Sequence, residues 1–388
     1  MAQLRLVVLG LMGRSPFGGQ TWLYLNWLQG LRRLGHDVWY VEDDIVWPYD
    51  PEANAVTEDC SYAVRHIARC LDRIGMSDRW AFRFSLRRDH CWGLAERELD
   101  ELYRSSDALL NICGATELRE EHQRAGLRVF VETDPVTAEL RRANGDEHTR
   151  NLLDAHNAFA TYGENYGTAD CLVPLSGLTF VTTRQPVDLT LWPGDCRPDV
   201  RSFTTIGNYR QRGRDVTYRG ETYRWSKHYE WEGFVSLPRL CGKRFELALV
   251  ASDRDKTFLE SYGWRVVPAL PMSLDVFGAY PEFIRSSRAE FTVAKDQNVR
   301  LRSGWFSDRD ACYLASGKPV VAQDTGFGCT LPTGSGLFAV SSVDEAASAI
   351  NEIDHDYGRH ARAARTIAEE YFDAMVVAGA LLRDLGLT

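Results

Sequence analysis

Leu4-Arg5-Leu6-Val7-Val8-Leu9-Gly10-Leu11 is a nearly continuous apolar run that ends at glycine. Strands buried on both faces of a parallel sheet read this way, because polar alternation is needed only where one face meets water. Gly10 to Gln20 is then rich in Gly, Ser and Pro. Thr21–Leu34 places Trp22, Leu25, Leu28 and Leu31 at helical spacing and stops at Gly35, a helix terminator. Val38–Val41 predicts the next strand. A strand, loop, helix and strand within about 40 residues is the opening unit of a doubly wound α/β domain.

Working outward, helices are expected over Ala63–Ile74, Leu94–Tyr103, Glu117–Arg124 and Leu152–Phe159, with strands at Ala108–Ile112 and Arg128–Glu132. Pro186, Pro193 and Pro198 punctuate a stretch without periodicity, where the interdomain linker is expected. A second α/β run follows, with strands at Phe203–Ile206, Phe245–Ala251, Arg265–Val267, Glu290–Val293 and Pro319–Ala322. Val216–Arg219 and Thr222–Trp225 suggest a hairpin turning at Gly220-Glu221. Helices at Asp344–Ile353 and Arg359–Tyr371, and one running to about Leu385, close the chain.

The 388 residues suit two domains. A net charge of −9 is a poor basis for holding nucleic acid, whose phosphates demand clustered Lys and Arg. No run of about 20 apolar residues is present, so no membrane span is expected. Met1–Gly10 reads as a first strand rather than a signal peptide. Nine scattered cysteines without a C-x-x-C suit reduced thiols in the cytoplasm and no structural metal. His90–Cys91 is a lone neighbour pair without zinc-site spacing. G-x-G-x-x-G after the first strand, a Walker loop, a G-x-S-x-G elbow and H-E-x-x-H are all missing, which weakens dehydrogenase, kinase, hydrolase and metalloprotease readings.

Three loops have the composition of an anion site. Arg302-Ser303-Gly304-Trp305-Phe306-Ser307-Asp308-Arg309-Asp310 leads into a helix over Ala311–Ser316, with Ser307 and Asp310 as a capping signature. Amides at such a helix start attract phosphate, and Arg302 and Lys295 would add charge. Ser15 to Gln20 carries Gly18 and Gly19 just before the first helix, where a ligand could approach the backbone. Gln323-Asp324-Thr325-Gly326-Phe327 follows a strand, and Asp324 could accept hydrogen bonds from sugar hydroxyls. Each loop reads equally well as plain turn or cap geometry.

Ser316-Gly317-Lys318-Pro319-Val320-Val321, after a short helix and before Asp324-Thr325-Gly326-Phe327, resembles the donor segment of nucleotide-sugar glycosyltransferases with two Rossmann-like domains, the GT-B fold. Phe17-Gly18-Gly19 and Leu34-Gly35-His36-Asp37-Val38 resemble the start of its retaining members. Glu132-Thr133-Asp134-Pro135, Tyr162-Gly163-Glu164-Asn165 and Arg201–Tyr209 resemble an actinobacterial group of family-1 and family-4 type. The resemblance implies an acceptor domain over 1–190, a nucleotide-sugar domain over 191–370, and a helix over 371–388 returning to the first. It implies that Ser303–Ser307, Gly207 and Asn208 lie on the diphosphate, with Lys227 and Lys295 neutralising leaving-group charge. The acidic pair of retaining relatives is missing, since Gly304 and Cys312 stand at the matching positions, and Asp308 or Asp310 are the nearest substitutes.

Glycosyl transfer needs a stabilised diphosphate and often a base. Asp134, after an apolar strand and before Pro135, is the first candidate base, against the reading that it caps the next helix. His156 and Glu164 are secondary. Trp305 and Trp231 are candidates to stack on a base or an aromatic acceptor. Expected partners are a nucleotide-sugar donor, as co-substrate without cofactor, and a small-molecule acceptor, with a homodimer as a candidate assembly. The rival functions are a nucleotide-sugar epimerase of the same fold and a non-catalytic scaffold.

Overall fold

The computed structural model describes residues 3–84 and 91–387. His90, half of the His90–Cys91 pair, lies outside them. The first lobe contains β1 (Arg5–Leu9), β2 (Asp37–Asp44), β3 (Tyr49–Asp50), β4 (Ala55–Val56), β5 (Trp80–Phe84), β6 (Cys91–Trp92), β7 (Ala108–Ile112), β8 (Leu127–Glu132), β9 (Ala158–Thr161) and β10 (Val181–Thr182). Its main sheet has the order β10-β9-β8-β7-β1-β2-β5-β6 and is parallel apart from the β5–β6 edge.

The second lobe contains β11 (Ser202–Asn208), β12 (Val216–Tyr218), β13 (Glu221–Tyr223), β14 (Arg244–Val250), β15 (Arg265–Pro268), β16 (Ala289–Thr292), β17 (Val320–Gln323) and β18 (Leu337–Val340). Its parallel sheet runs β15-β14-β11-β16-β17-β18, the doubly wound order with its reversal between β11 and β16. The apolar run that opens the chain is fully buried over Leu6–Leu9, as its lack of alternation requires.

Several boundaries differ from expectation. Glu117–Arg124 is not a helix beyond the short turn His122–Arg124, because Asn111 bonds the amide and carbonyl of Thr116 and holds an irregular loop. Leu152–Phe159 divides into the end of a helix (Glu147–Asp154) and the start of β9. The hairpin turns one residue early: Tyr218 pairs with Glu221, and Arg219 and Gly220 both take positive φ, 52° and 82°. That is the primed turn geometry favoured by strand twist. The first helix begins at Gly18, so Gly18 and Gly19 form its first turn instead of a loop.

The cleft is closed at its base. Trp22 packs edge-on against Trp192, 4.7 Å between centroids, and donates to the Val276 carbonyl at 2.8 Å. A π-helical turn, Ala368–Phe372, carries the chain out of the second lobe, and the last helix, Ala374–Asp384, lies on the first helix, Gly18–Arg33. Gly30 permits that contact: a Cβ there would sit 2.5 Å from the Ala374 carbonyl oxygen. Gly30→Leu should therefore destabilise the protein by about 1–3 kcal/mol through overpacking. Urea denaturation checks this, and unchanged stability would show that the two helices are not in contact.

Candidate functional site

Ligands of doubly wound sheets collect at the carboxyl ends of the strands, where the strand order reverses. In the second lobe that point is filled by Arg309, on the helix Asp308–Ala315. Its guanidinium donates to Glu290 Oε1 on β16 (2.5 Å), to the Ile206 carbonyl on β11 (2.9 Å), to Thr292 Oγ1 (2.8 Å) and to Asp310 Oδ1 (3.0 Å). Thr205 also donates to Glu290 Oε1, at 2.9 Å. Burial pushes the Glu290 carboxyl up, and Arg309 opposes this. The site thus begins with a cation locked at the switch point.

Two lysines flank it. Lys295 follows β16, is buried, and lies over the Trp225 ring with its Nζ 3.1 Å from the centroid. Its ammonium donates to Asp134 Oδ2, which follows β8 of the first lobe. Lys227 is partly covered, with Nζ 5.3 Å from the Trp305 centroid. Burial lowers the Lys295 ammonium to about 8 and the Lys227 ammonium to about 7, the latter helped by the Arg309 charge. An aromatic face offsets part of the cost of burying an ammonium.

Beside these cations Thr292, Val293, Ala294, Trp305, Asp310 and Gln323 line a small recess. Gln323 takes the Ala294 amide at 3.1 Å and donates to Glu230 at 2.6 Å, fixing one wall. Thr325 donates to the Trp305 carbonyl at 2.6 Å, Asp324 caps the Gly326 amide at 2.7 Å, and Phe327 rests on Phe306. Arg302 reaches Asp324 at 3.6 Å. Gly207 lies within β11 with the Arg309 guanidinium close by, and Asn208 is exposed at the strand's end.

The loop before Arg309 differs from a simple row of open amides. The amides of Ser303, Gly304 and Trp305 donate to the Asn298 carbonyl, the Thr325 carbonyl and Ser303 Oγ. Ser307 caps the helix by accepting from the Arg309 amide at 3.3 Å. Positive φ at Arg302 (48°) and Gly304 (78°) turns this loop onto the first lobe. There Asn165 donates to the carbonyls of Arg302 and Gly326, both at 3.1 Å, while Trp305 Nε1 donates to the Thr133 carbonyl at 3.0 Å and Gln185 to Phe306. Asp308 faces Tyr162 and Asp134, and burial together with the nearby Asp310 and Asp134 charges lifts its carboxyl to about 7.

On the first lobe, Asp134 Oδ1 is buried without a hydrogen-bond partner. Two residues on, Val136 takes φ of +94°, a region costly for a β-branched side chain, and strain of this kind gathers at functional sites. It is held by its amide, which donates to Glu139 and to the Tyr166 hydroxyl, both at 2.9 Å. Burial pushes both Glu132 and Glu139 up. A second, shallow recess lies at the carboxyl ends of β1, β2 and β5, lined by Gly10, Arg14, Glu42, Val46, Phe82 and Phe84.

The remaining sequence candidates have other engagements. Both nitrogens of His156 are used, by Asn111 (3.0 Å) and the Leu152 carbonyl (2.9 Å), and burial lowers the ring to about 4, so it is neutral and held. Glu164 is clamped by Arg184. Gly18 meets the second lobe, its amide donating to Ser273 Oγ at 3.1 Å, and Gly19 is one turn position further. Trp231 is core, against Trp264 and Phe291. Arg309 and Asn165 stood inside stretches the sequence singled out but were given no role, and Glu290 and Val136 were not singled out as site residues. An Arg inside an Asp-Arg-Asp run looks like exposed helix surface, and the partner carboxylate is 19 residues away.

Removing one partner of a buried ion pair strands the other. Arg309→Met should cost about 3–5 kcal/mol by urea denaturation, more than Glu290→Gln. The deficit should grow as pH rises above about 8, where the wild-type Glu290 carboxyl ionises against Arg309 while the variant's, without that charge, keeps its proton. A pH-independent deficit would remove Glu290 from this account.

Neither a protein-family model nor a curated protein matches the sequence. Solved structures do match in shape. An α-glucosyltransferase in complex with UDP and a 13-mer DNA is 11% identical, with 99% of this chain and 100% of that one covered at a TM-score of 0.58. HepE of Anabaena in complex with UDP is 13% identical, with 99% and 100% covered at 0.58. AviGT4, a glycosyltransferase involved in avilamycin A biosynthesis, is 12% identical, with 98% and 96% covered at 0.55. At such identities the likeness is one of architecture, and over essentially its whole length the chain has the two-Rossmann-domain GT-B fold.

Proposed function

We propose that this chain is a glycosyltransferase that moves a hexosyl group from a nucleoside-diphosphate sugar to a hydroxyl of a small-molecule acceptor, in natural-product or glycoconjugate biosynthesis. One observation carries the reading: Lys227, Lys295 and Arg309 gather at the switch point of the second sheet, opposite the Asp134 carboxylate of the first lobe. Residues 191–370 would hold the donor, 1–190 the acceptor, and 371–388 would tie them together. That UDP occupies two of the neighbours makes UDP the first probe.

In the reaction, the bond from the sugar's C1 to the β-phosphate oxygen breaks, and its electron pair leaves with the nucleoside diphosphate. Lys227 and Lys295 would neutralise that developing charge without requiring a metal. The acceptor oxygen bonds to C1, and Asp134 takes the hydroxyl proton on its unpartnered Oδ1. Gln323, Asp324 and Asp310 would meet sugar hydroxyls. The recess by Phe82, Phe84 and Arg14 would take the acceptor. One neighbour was solved with DNA, but the charge of −9 favours an acceptor that is not a polyanion.

Lys227→Met and Lys295→Met should each weaken UDP binding at least about tenfold by calorimetry. Asp134→Asn should lower kcat by about a hundredfold without weakening UDP. Near-wild-type values in all three would defeat the assignment. Because bound diphosphate would raise both lysines from about 7 and about 8, binding should take up protons, and affinity should fall, as pH rises through that window. Calorimetry at pH 8 in buffers of different ionisation enthalpy measures the uptake, and none would exclude both lysines from the phosphates.

A further inference from the structure

Asp134 and Lys295 belong to different lobes, and their ion pair crosses the cleft. Lys295 is buried, with Asp134 as its carboxylate partner and Trp225 beneath it. Asp134 has one oxygen on that ammonium and the other unpartnered and buried. The group assigned to the acceptor is therefore held by a group assigned to the leaving diphosphate. A diphosphate carries more negative charge than a carboxylate, so in the donor site proposed above it would compete for Lys295. The Trp225 face would keep the ammonium in place while its anion is exchanged.

We propose that the Lys295–Asp134 pair is a latch: in the empty cleft it ties the base to the donor lobe, and the donor's diphosphate, by taking Lys295, releases Asp134 to the acceptor hydroxyl. The inference rests on the donor-site reading above and adds an order of events. Donor binds first, and an acceptor alone finds its base engaged. The neighbouring backbone suits such a release. Val136, at φ +94°, is pinned by Glu139 and Tyr166, so the segment is anchored just beyond Asp134 while the Asp134 side chain turns. By reciprocity, removing the latch must strengthen diphosphate binding as much as diphosphate weakens the latch.

A double-mutant cycle on the full chain tests this, with UDP, GDP, ADP and dTDP as probes in calorimetry. Asp134→Asn should bind the preferred diphosphate about tenfold more tightly than the wild type. Lys295→Met should bind it at least about tenfold more weakly, and adding D134N to K295M should change affinity less than about twofold. Asp134→Ser repeats the measurement if D134N does not fold, as judged by circular dichroism. Equal tightening by D134N with and without Lys295 would mean simple charge repulsion and would overturn the latch, as would unchanged or weaker binding. If the folded wild type binds none of the four probes, the donor site itself fails and the latch with it.

Discussion

A parallel sheet sends the carboxyl end of every strand to one edge, and in this chain two such edges face each other. That constraint places Thr133, Asp134 and Asn165, from two different connections of the first sheet, against Lys295, Gly304 and Trp305 of the second. Strand ends are also where backbone polar groups leave the ladder and need new partners. The cleft is thus polar by construction, and its contacts are largely hydrogen bonds made across it, as by Asn165 and Gln185. The apolar seal sits elsewhere, at Trp22, Trp192 and the last helix.

Burying three cations in one region is expensive unless each finds compensation. Arg309 finds it inside its own lobe, in Glu290 and Asp310, and so is a fixed part of the scaffold. Lys295 finds it across the cleft, in a residue the lobes could separate from it. Lys227 has the face of Trp305, with the charges of Asp310 and Glu290 further off. Compensation declines in that order, and the ease with which an external anion can compete rises. The gradient distinguishes a site prepared for a ligand from a self-satisfied ion network. Asp43 in the first lobe shows the contrast: Arg83, Arg119, His122 and Tyr103 all donate to it.

Local pattern made the strands legible. Ala108–Ile112 was readable to the residue, and Arg5–Leu9 lies within the apolar run expected of it. Ser307 was readable as a cap because capping depends on a hydroxyl and amides a few residues away. The hairpin register was off by one, since Arg219 gives no sign that it will accept φ of 52°. Within the candidate site, Ser303–Ser307 was legible as a loop ahead of a helix, and Asp324–Gly326 as the loop after a strand, which itself runs one residue further than expected, through Gln323. What their amides bind was not, because Gly304 is paired with Thr325 by tertiary folding.

The sequence by itself determined two parallel α/β runs and a glycine-bearing loop ahead of a capped helix, because periodicity, capping and turn chemistry act over a few residues. Only the tertiary structure decided that Asp134 meets Lys295, that Arg309 occupies the switch point, and that His156 is held in packing instead of facing the cleft. Those pairings join residues 161, 103 and 45 positions apart. Charge and hydrogen bonding across such separations depend on how the two sheets are brought together, and no local window of sequence contains that information.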